Sequence, residues 1–107
     1  MKLPKNRRPI HPGQVLLHEF LVPMGITQKI LAKHLKWSYA RVNEIVNGRR
    51  GVTMDTALSF SETFETSVEF WINLQVAYDL YDAKSLHVSV SKLAPKDSLT
   101  SPIGIQK

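Results

Sequence analysis

The chain has 107 residues, a length that suits one small domain, and it contains no cysteine, which excludes disulfide bonds, thiolate metal sites and cysteine nucleophiles. No apolar run reaches the roughly 18 residues of a membrane span, and the amino terminus lacks the apolar stretch of a signal peptide. We therefore expect a soluble, cytoplasmic protein with no membrane partner. The net charge of +5 is unevenly divided, with +8 on residues 1–51, −6 on residues 52–82 and +3 on residues 83–107. One surface is expected to meet a polyanion and another to meet a different partner.

The chain divides into four regions by composition and periodicity. Residues 1–12, MKLPKNRRPIHP, combine three prolines with four basic side chains and form a predicted extended basic arm. Residues 13–84 carry helical periodicity and predict an all-α domain, a compact bundle of five helices. Residues 85–92 are strand-like, and residues 93–107 have the composition of a flexible tail.

The five helices are predicted over residues 13–21, 28–35, 39–47, 54–65 and 68–84. A hydroxyl side chain that can cap the free N–H groups stands before each of the last four, at Thr27, Ser38, Thr53 and Ser67. Pro23 and Gly25 are expected to end the first helix, and Gly48 to end the third. The residues predicted to point inward are Leu16, Leu17, Phe20, Leu21, Ile30, Leu31, Leu35, Val42, Ile45, Val46, Met54, Ala57, Leu58, Ser61 and Phe64.

The predicted fifth helix differs from the others because it carries two apolar stripes. One stripe consists of Phe70, Trp71, Leu74, Ala77, Tyr78 and Tyr81. The second consists of Val68, Ile72, Val76 and Leu80. A surface helix needs only one apolar face, so two stripes indicate a helix covered from both sides. Since four other helices can cover one side of it, the second stripe predicts a homodimer interface; the alternative is a central helix wholly inside its own domain.

Apolar and polar residues alternate after the last predicted helix. Leu86, Val88 and Val90 point to one face of a predicted dimerisation strand over 85–92. A lone strand cannot satisfy its own backbone groups. We expect this strand to pair with its copy in a dimer or with the sheet edge of another protein.

Residues 27–50, TQKILAKHLKWSYARVNEIVNGRR, have the features of a helix-turn-helix: two short helices, a tight turn, and the small Ala32 where the helices cross. This motif places its second helix in the major groove of double-stranded DNA. The candidate base-reading residues are Ser38, Tyr39, Ala40, Arg41 and Asn43. The candidate phosphate contacts are Thr27, Gln28, Asn47, Arg49 and Arg50. Arg41 suits guanine and Asn43 suits adenine, although both could also be ordinary solvated helix residues.

This segment resembles the helix-turn-helix of phage-repressor-like (Xre/Cro-type) regulators, in Thr27-Gln28, Leu31-Ala32, Ser38, Ile45 and Asn47-Gly48. A wider stretch, about residues 9–83, is similar to HigA-type antitoxins. That likeness is carried by Ile10-His11-Pro12-Gly13, Leu16-Leu17, the run from Asn43 to Thr53, Asp55-Thr56-Ala57-Leu58, and Phe70-Trp71-Ile72-Asn73-Leu74-Gln75. Lys36 departs from the family, whose turn usually has glycine there. A positive φ at Lys36 would cost about 1 kcal/mol.

The resemblance implies an antitoxin that neutralises an mRNA-cleaving HigB-type ribonuclease toxin and, as a homodimer, represses its own operon from operator DNA. The basic half would face DNA in the nucleoid and the acidic half a basic toxin, whose contact residues stay unassigned. The basic arm could be a solubility tail, a minor-groove arm or a toxin contact. Two alternatives remain: a stand-alone dimeric repressor, and a helical adaptor that does not bind DNA.

Enzymatic activity is not expected. Asp79 and Asp82 lie beside no nucleophile or glycine-rich phosphate loop, so they do not resemble a catalytic pair. His11 and His18 have no third ligand at metal spacing. The sequence therefore predicts no catalytic residue, no metal and no cofactor.

Overall fold

The computed structural model describes residues 7–95, so that residues 1–6 of the predicted arm and most of the predicted tail lie outside the described part. The described chain is helical, with elements α1 (Pro12–Val15), a π-helix (Leu16–Leu21), α2 (Val22–Met24), α3 (Gln28–Leu35), α4 (Tyr39–Val46), α5 (Met54–Phe64) and α6 (Val68–Leu86). Because α1, the π-helix and α2 are continuous, they count as one helix, and the prediction of five helices is confirmed.

Hydroxyl caps begin the four later helices as predicted. Each cap oxygen accepts a hydrogen bond from the backbone N–H three residues on, at 3.1 Å for Thr27, 3.1 Å for Ser38, 3.3 Å for Thr53 and 3.0 Å for Ser67. Each bond satisfies an N–H that has no partner inside the helix. The helix starts are therefore encoded by local residues.

The first helix runs further than predicted. Pro23 does not end it, because the helix changes there from π to α bonding: the N–H of Val22 donates to the carbonyl of Leu17, five residues back. Pro23 thus lies in the first turn of α2, where its missing N–H is tolerated. Gly25, with φ of 67°, ends the helix as expected.

Trp71 and Phe60 lie at the centre of the core. Both side chains are fully buried, and their ring centroids are 4.9 Å apart. The indole N–H of Trp71 donates to the hydroxyl of Thr66 at 2.7 Å, so its polar atom is satisfied. The buried apolar residues around them are Leu16, Leu21, Leu31, Ala32, Val42, Ile45, Val46, Val52 and Ala57.

Three residues predicted to point inward are exposed instead: Ile30 at 55%, Met54 at 60% and Leu58 at 46%. On α5 the buried face is rotated from the predicted one so that Phe60 enters the core. Burying the aromatic ring removes more apolar surface from water than burying Met54 or Leu58 would. Phe60 was absent from the predicted face.

Helix α6 is open on both flanks of its buried side. On the first stripe Phe70 is 38% exposed, and on the second Val76 is 54% and Leu80 is 49% exposed. The alternative of a helix wholly inside its own domain is therefore wrong. On the second stripe Val76 and Leu80 are open to a partner, whereas Val68 and Ile72 are partly buried and pack against the core of their own domain.

The strand predicted over residues 85–92 cannot start at residue 85, because α6 continues to Leu86. The hydroxyl of Ser85 donates to the carbonyl of Asp82 at 2.8 Å within the last turn. At His87 the backbone is extended, and Val88 and Val90 beyond it are more than 80% exposed. Within residues 7–95 this segment pairs with no other strand, so its pairing across a dimer stays a prediction.

Among the described residues no single helix is long and apolar enough to cross a membrane. One pair meets the criteria of length and composition only when joined, and the two members, Pro12–Met24 and Gln28–Leu35, are bent by 100°.

Candidate nucleic-acid interface

A tight turn without glycine joins α3 to α4. Lys36 has φ of 60°, and the N–H of Trp37 donates to the carbonyl of Ala32 at 2.9 Å. Ala32 is buried where the helices cross. Lys36 therefore stands in the left-handed region that glycine favours, at a cost of about 1 kcal/mol.

Helix α1 holds α4 from behind. Gly13 lies so close to α4 that a Cβ atom built on it would be 1.7 Å from the carbonyl oxygen of Ile45. The side-chain amide of the neighbouring Gln14 donates to the carbonyl of Val46 at 2.8 Å, which satisfies a free acceptor in the last turn of α4. The position of α4 is therefore fixed by contacts that only glycine and a long amide provide.

His11 caps α1 and packs on α6. Its Nδ1 atom accepts a hydrogen bond from the N–H of Gly13 at 2.9 Å, and its ring meets the ring of Tyr78 edge-on at 4.8 Å. Burial lowers the pKa of His11 below its ordinary value; the charge of Asp79 opposes this shift and that of Arg8 adds to it. The neutral imidazole is the form that the fold requires.

The solvent-facing side of α4 lies opposite its buried residues, Val42, Ile45 and Val46. It carries Ala40, Glu44 and Asn47, spaced by four and three residues. Ser38, Tyr39 and Ala40, three of the predicted base-reading residues, are exposed at its amino-terminal end. Glu44 was missed by the sequence analysis, although its helical spacing from Ala40 would have placed it on this face.

Arg41 lies on the flank of α4 and folds back onto the protein. Its guanidinium carbon is 3.6 Å from the centroid of the Trp37 ring, and its Nη2 atom is 3.8 Å from Asp55. Its Nε atom is buried and has no hydrogen-bond partner among residues 7–95. The predicted guanine reader is thus held at the edge of the exposed face.

Asn43 is hydrogen-bonded to three of the other predicted site residues. Its Nδ2 atom donates to Oε1 of Gln28 at 3.0 Å and to the hydroxyl of Tyr39 at 3.4 Å. Its Oδ1 atom accepts from Nδ2 of Asn47 at 3.1 Å. Asn43 is therefore engaged within the protein and orients its neighbours. Because the oxygen of Gln28 is occupied, the amide group left on Gln28 is a donor, which suits a phosphate.

The loop after α4 carries the two basic candidates. The N–H groups of Arg49 and Arg50 both donate to the carbonyl of Glu44, at 2.8 and 3.2 Å. The Arg49 side chain is exposed, whereas that of Arg50 is paired with the carboxylate of Glu44. Farther along, the N–H of Val52 donates to the side chain of Gln75 on α6 at 2.7 Å. The loop is thus anchored at both ends.

Thr27 uses its hydroxyl as the cap of α3, where it accepts a hydrogen bond from the N–H of Ile30. Across residues 7–95, no group of three or more histidine and acidic side chains comes together at a spacing that could hold a metal ion.

The helix-turn-helix family model matches residues 17–71, which is half of the chain. Virulence-associated protein I of Dichelobacter nodosus is 45% identical over 85% of this chain and 85% of its own length. Antitoxin HigA-1 of Vibrio cholerae is 38% identical over 81% of this chain and 82% of its own. The chain therefore belongs to the helix-turn-helix family, in the group that contains the HigA antitoxins.

The fold is also similar to a solved complex. The structure of the Pseudomonas aeruginosa antitoxin HigA with the higBA promoter superposes with a TM-score of 0.70 at 45% identity. The superposition covers 73% of this chain and 85% of that one. That relative was thus seen together with promoter DNA.

Proposed function

We propose that this protein is an antitoxin and autorepressor that binds operator DNA as a homodimer, with α4 in the major groove. The exposed polar face of α4 carries this proposal: Ser38, Tyr39 and Ala40 stand at the helix end that enters a groove, and α1 supports the helix from behind. The similar Pseudomonas aeruginosa antitoxin with its promoter supports it. The protein acts by binding alone, in the cytoplasm at the nucleoid, with no catalytic residue, metal or cofactor.

Phosphate contacts surround that face. The amide of Gln28 on α3 and the exposed guanidinium of Arg49 in the loop after α4 are hydrogen-bond donors, and Asn47 lies at the carboxyl-terminal end of α4. Together with Thr27 and Arg50 they position the protein, and base contacts supply sequence preference. The excess of basic residues before residue 52 favours approach to a polyanion.

The dimer interface in this proposal is the second stripe of α6, Val68, Ile72, Val76 and Leu80, continued by Leu86, Val88 and Val90. The last two stripe residues, Val76 and Leu80, are half exposed in the single chain, whereas Val68 and Ile72 are partly buried against the core. Covering them removes apolar surface from water, which favours association. A two-fold dimer then presents two copies of α4 to an inverted repeat with half-sites about 10 base pairs apart, or a multiple of that spacing.

A HigB-type ribonuclease toxin is the second proposed partner. Residues 52–82 hold six acidic and no basic side chains, which complements a basic protein. Part of that charge is already neutralised, because Arg8 of the arm pairs with Asp82 at 2.7 Å and lies 4.2 Å from the centroid of the Tyr78 ring. The described end of the arm is therefore tied to α6.

Binding to the promoter fragment upstream of the protein's own gene tests the DNA function. The dissociation constant should rise steeply with salt, because phosphate contacts release counterions, and a shuffled fragment of equal composition should bind more weakly. Equal affinity for both fragments at every salt concentration would contradict operator recognition. A complete lack of DNA binding would favour the helical adaptor.

Co-expression with the product of the adjacent short reading frame tests the antitoxin function. The two proteins should purify together, and the complex should lose the ribonuclease activity of the free toxin. Hydrogen exchange should show protection by toxin on residues 52–82, and protection confined to α4 would refute the assignment of surfaces. A protein that binds its promoter and finds no partner would be a stand-alone dimeric repressor.

A further inference from the structure

The pair formed by Glu44 and Arg50 leaves one carboxylate oxygen unused at the middle of the exposed face of α4. Nη2 and Nε of Arg50 lie 2.7 and 2.9 Å from the same oxygen, Oε1 of Glu44. Among residues 7–95, Oε2 of Glu44 has no hydrogen-bond partner. The carboxylate is thus fixed in place with one acceptor free.

A negatively charged side chain is unexpected on a surface proposed to bind DNA. Glu44 lies between Ala40 and Asn47 on the face that the proposed function turns toward DNA, where an unpaired negative charge would repel the phosphates. The pairing with Arg50 offsets that repulsion. The side chains remain 40% exposed at Glu44 and 50% exposed at Arg50, so both are accessible to a ligand.

We propose that Glu44 is a specificity-determining residue that accepts a hydrogen bond from the amino group of cytosine, while Arg50 neutralises and positions it. The inference rests on the proposed operator binding. In the major groove, cytosine offers its N4 amino group as a donor, which a carboxylate recognises. Adenine also offers an amino group, but its neighbouring N7 is an acceptor and repels a carboxylate. The cytosine-containing pair is therefore favoured.

The substitution Glu44→Gln tests this role, because an amide can both accept from N6 and donate to N7 of adenine. Fluorescence anisotropy would measure affinities for the operator and for all single base-pair replacements in one half-site. The intact protein should prefer C·G at one position by about 5- to 100-fold, and Glu44→Gln should move that preference toward A·T. Glu62→Gln, which removes the same charge from an exposed site on α5, should keep the C·G preference.

A uniform change at every base pair in Glu44→Gln, equal to that in Glu62→Gln, would overturn the proposal and leave Glu44 as a charge only. If circular dichroism shows that Glu44→Gln is unfolded, Glu44→Asp tests the proposal instead. Aspartate keeps the charge, but its side chain is one methylene shorter and its oxygens lie farther from the base. It should lose the C·G preference, and retention would overturn the proposal. Failure of the intact protein to prefer its operator over shuffled DNA would instead refute the proposed function.

Discussion

The guanidinium of Arg41 stacks on the ring of Trp37, with 3.6 Å between the guanidinium carbon and the ring centroid. Trp37 belongs to the turn between α3 and α4, so the turn itself provides the surface on which a residue of α4 rests. Asp55 at the start of α5 lies 3.8 Å from the same guanidinium. A base contact by Arg41 requires the side chain to slide along or leave this platform, while its backbone stays fixed.

The substitution Arg41→Ala should cost about 1–3 kcal/mol at the cognate operator and relax the preference at one base pair, because a bidentate contact to guanine would be lost. The measurement is anisotropy with the operator and with shuffled DNA. Arg49→Ala is the matched control: it should weaken both DNAs similarly and lower the salt slope by about 1. Equal losses on both DNAs for Arg41→Ala would contradict its role in base reading.

The substitution Val76→Asp should convert the dimer into monomers, because a charge would be buried in the proposed interface on α6. Sedimentation velocity measures the oligomeric state directly. The comparison with Val88→Asp, in the extended segment after α6, separates the two proposed parts of the interface. If Val76→Asp stays a dimer and Val88→Asp becomes a monomer, the dimer interface lies on the extended segment after α6 and not on α6.

The substitution Phe60→Ala should lower the free energy of unfolding by about 3–5 kcal/mol, since the ring is fully buried against Trp71. Leu58→Ala, two residues away and 46% exposed, should cost less than about 1 kcal/mol. Urea unfolding followed by circular dichroism gives both values. A larger loss of stability in Leu58→Ala than in Phe60→Ala would contradict this burial and favour the face of α5 that periodicity predicts.

The rotation of α5 shows where sequence reasoning ends. Thr53 and the other hydroxyl caps act within three residues, so helix starts follow from local sequence alone. The choice between Leu58 and Phe60 depends on Trp71, which lies on another helix and brings an aromatic ring to one side of α5. The periodicity of apolar residues predicts that α5 has an apolar face, but it does not predict which residues of α5 turn toward the core.

The candidate site divides in the same way. The exposed positions of Ser38, Tyr39 and Ala40 follow from the helix-turn-helix pattern and its helical spacing. The engagement of Asn43 with Gln28 depends on a contact between helices, and the pair of Arg41 with Asp55 joins residues from two elements. Such contacts form only when the helices pack together, so a local sequence pattern does not predict them.

The substitution Gly13→Ala should lower the free energy of unfolding by about 1–3 kcal/mol or more, because the added methyl group would overlap the carbonyl of Ile45. Operator affinity should fall as well, since α4 must move away from α1. Gly51→Ala is the comparison and should cost less, because the nearest atoms to its methyl group are those of the Gln75 side chain at 3.2 Å, which needs to give by only a few tenths of an ångström. Thermal melts and anisotropy measure the two effects, and equal behaviour of both variants would contradict the close packing of α1 on α4.

Stability should fall as the pH drops below about 6.5, the pKa of histidine in an unfolded chain. Burial lowers the pKa of His11 in the folded protein, so between the two pKa values the unfolded chain binds a proton that the folded chain does not. The stabilisation is therefore present above that window and is lost through it as the pH falls. Melting temperatures of the intact protein and of His11→Asn should converge at low pH, whereas His18→Asn, on the exposed surface, should follow the intact protein. A constant difference across the range would contradict the assignment.

Gln75 lies on α6, which carries the proposed partner surface. Its side chain also anchors the loop that follows α4. Its oxygen holds the N–H of Val52, and its amide donates to Asp79 at 2.9 Å. A ligand that changes the position or rigidity of α6 therefore acts on the loop that carries Arg49 and Arg50. Thermodynamic reciprocity then fixes the return effect: any factor by which a protein partner changes the affinity for DNA is the factor by which DNA changes the affinity for that partner.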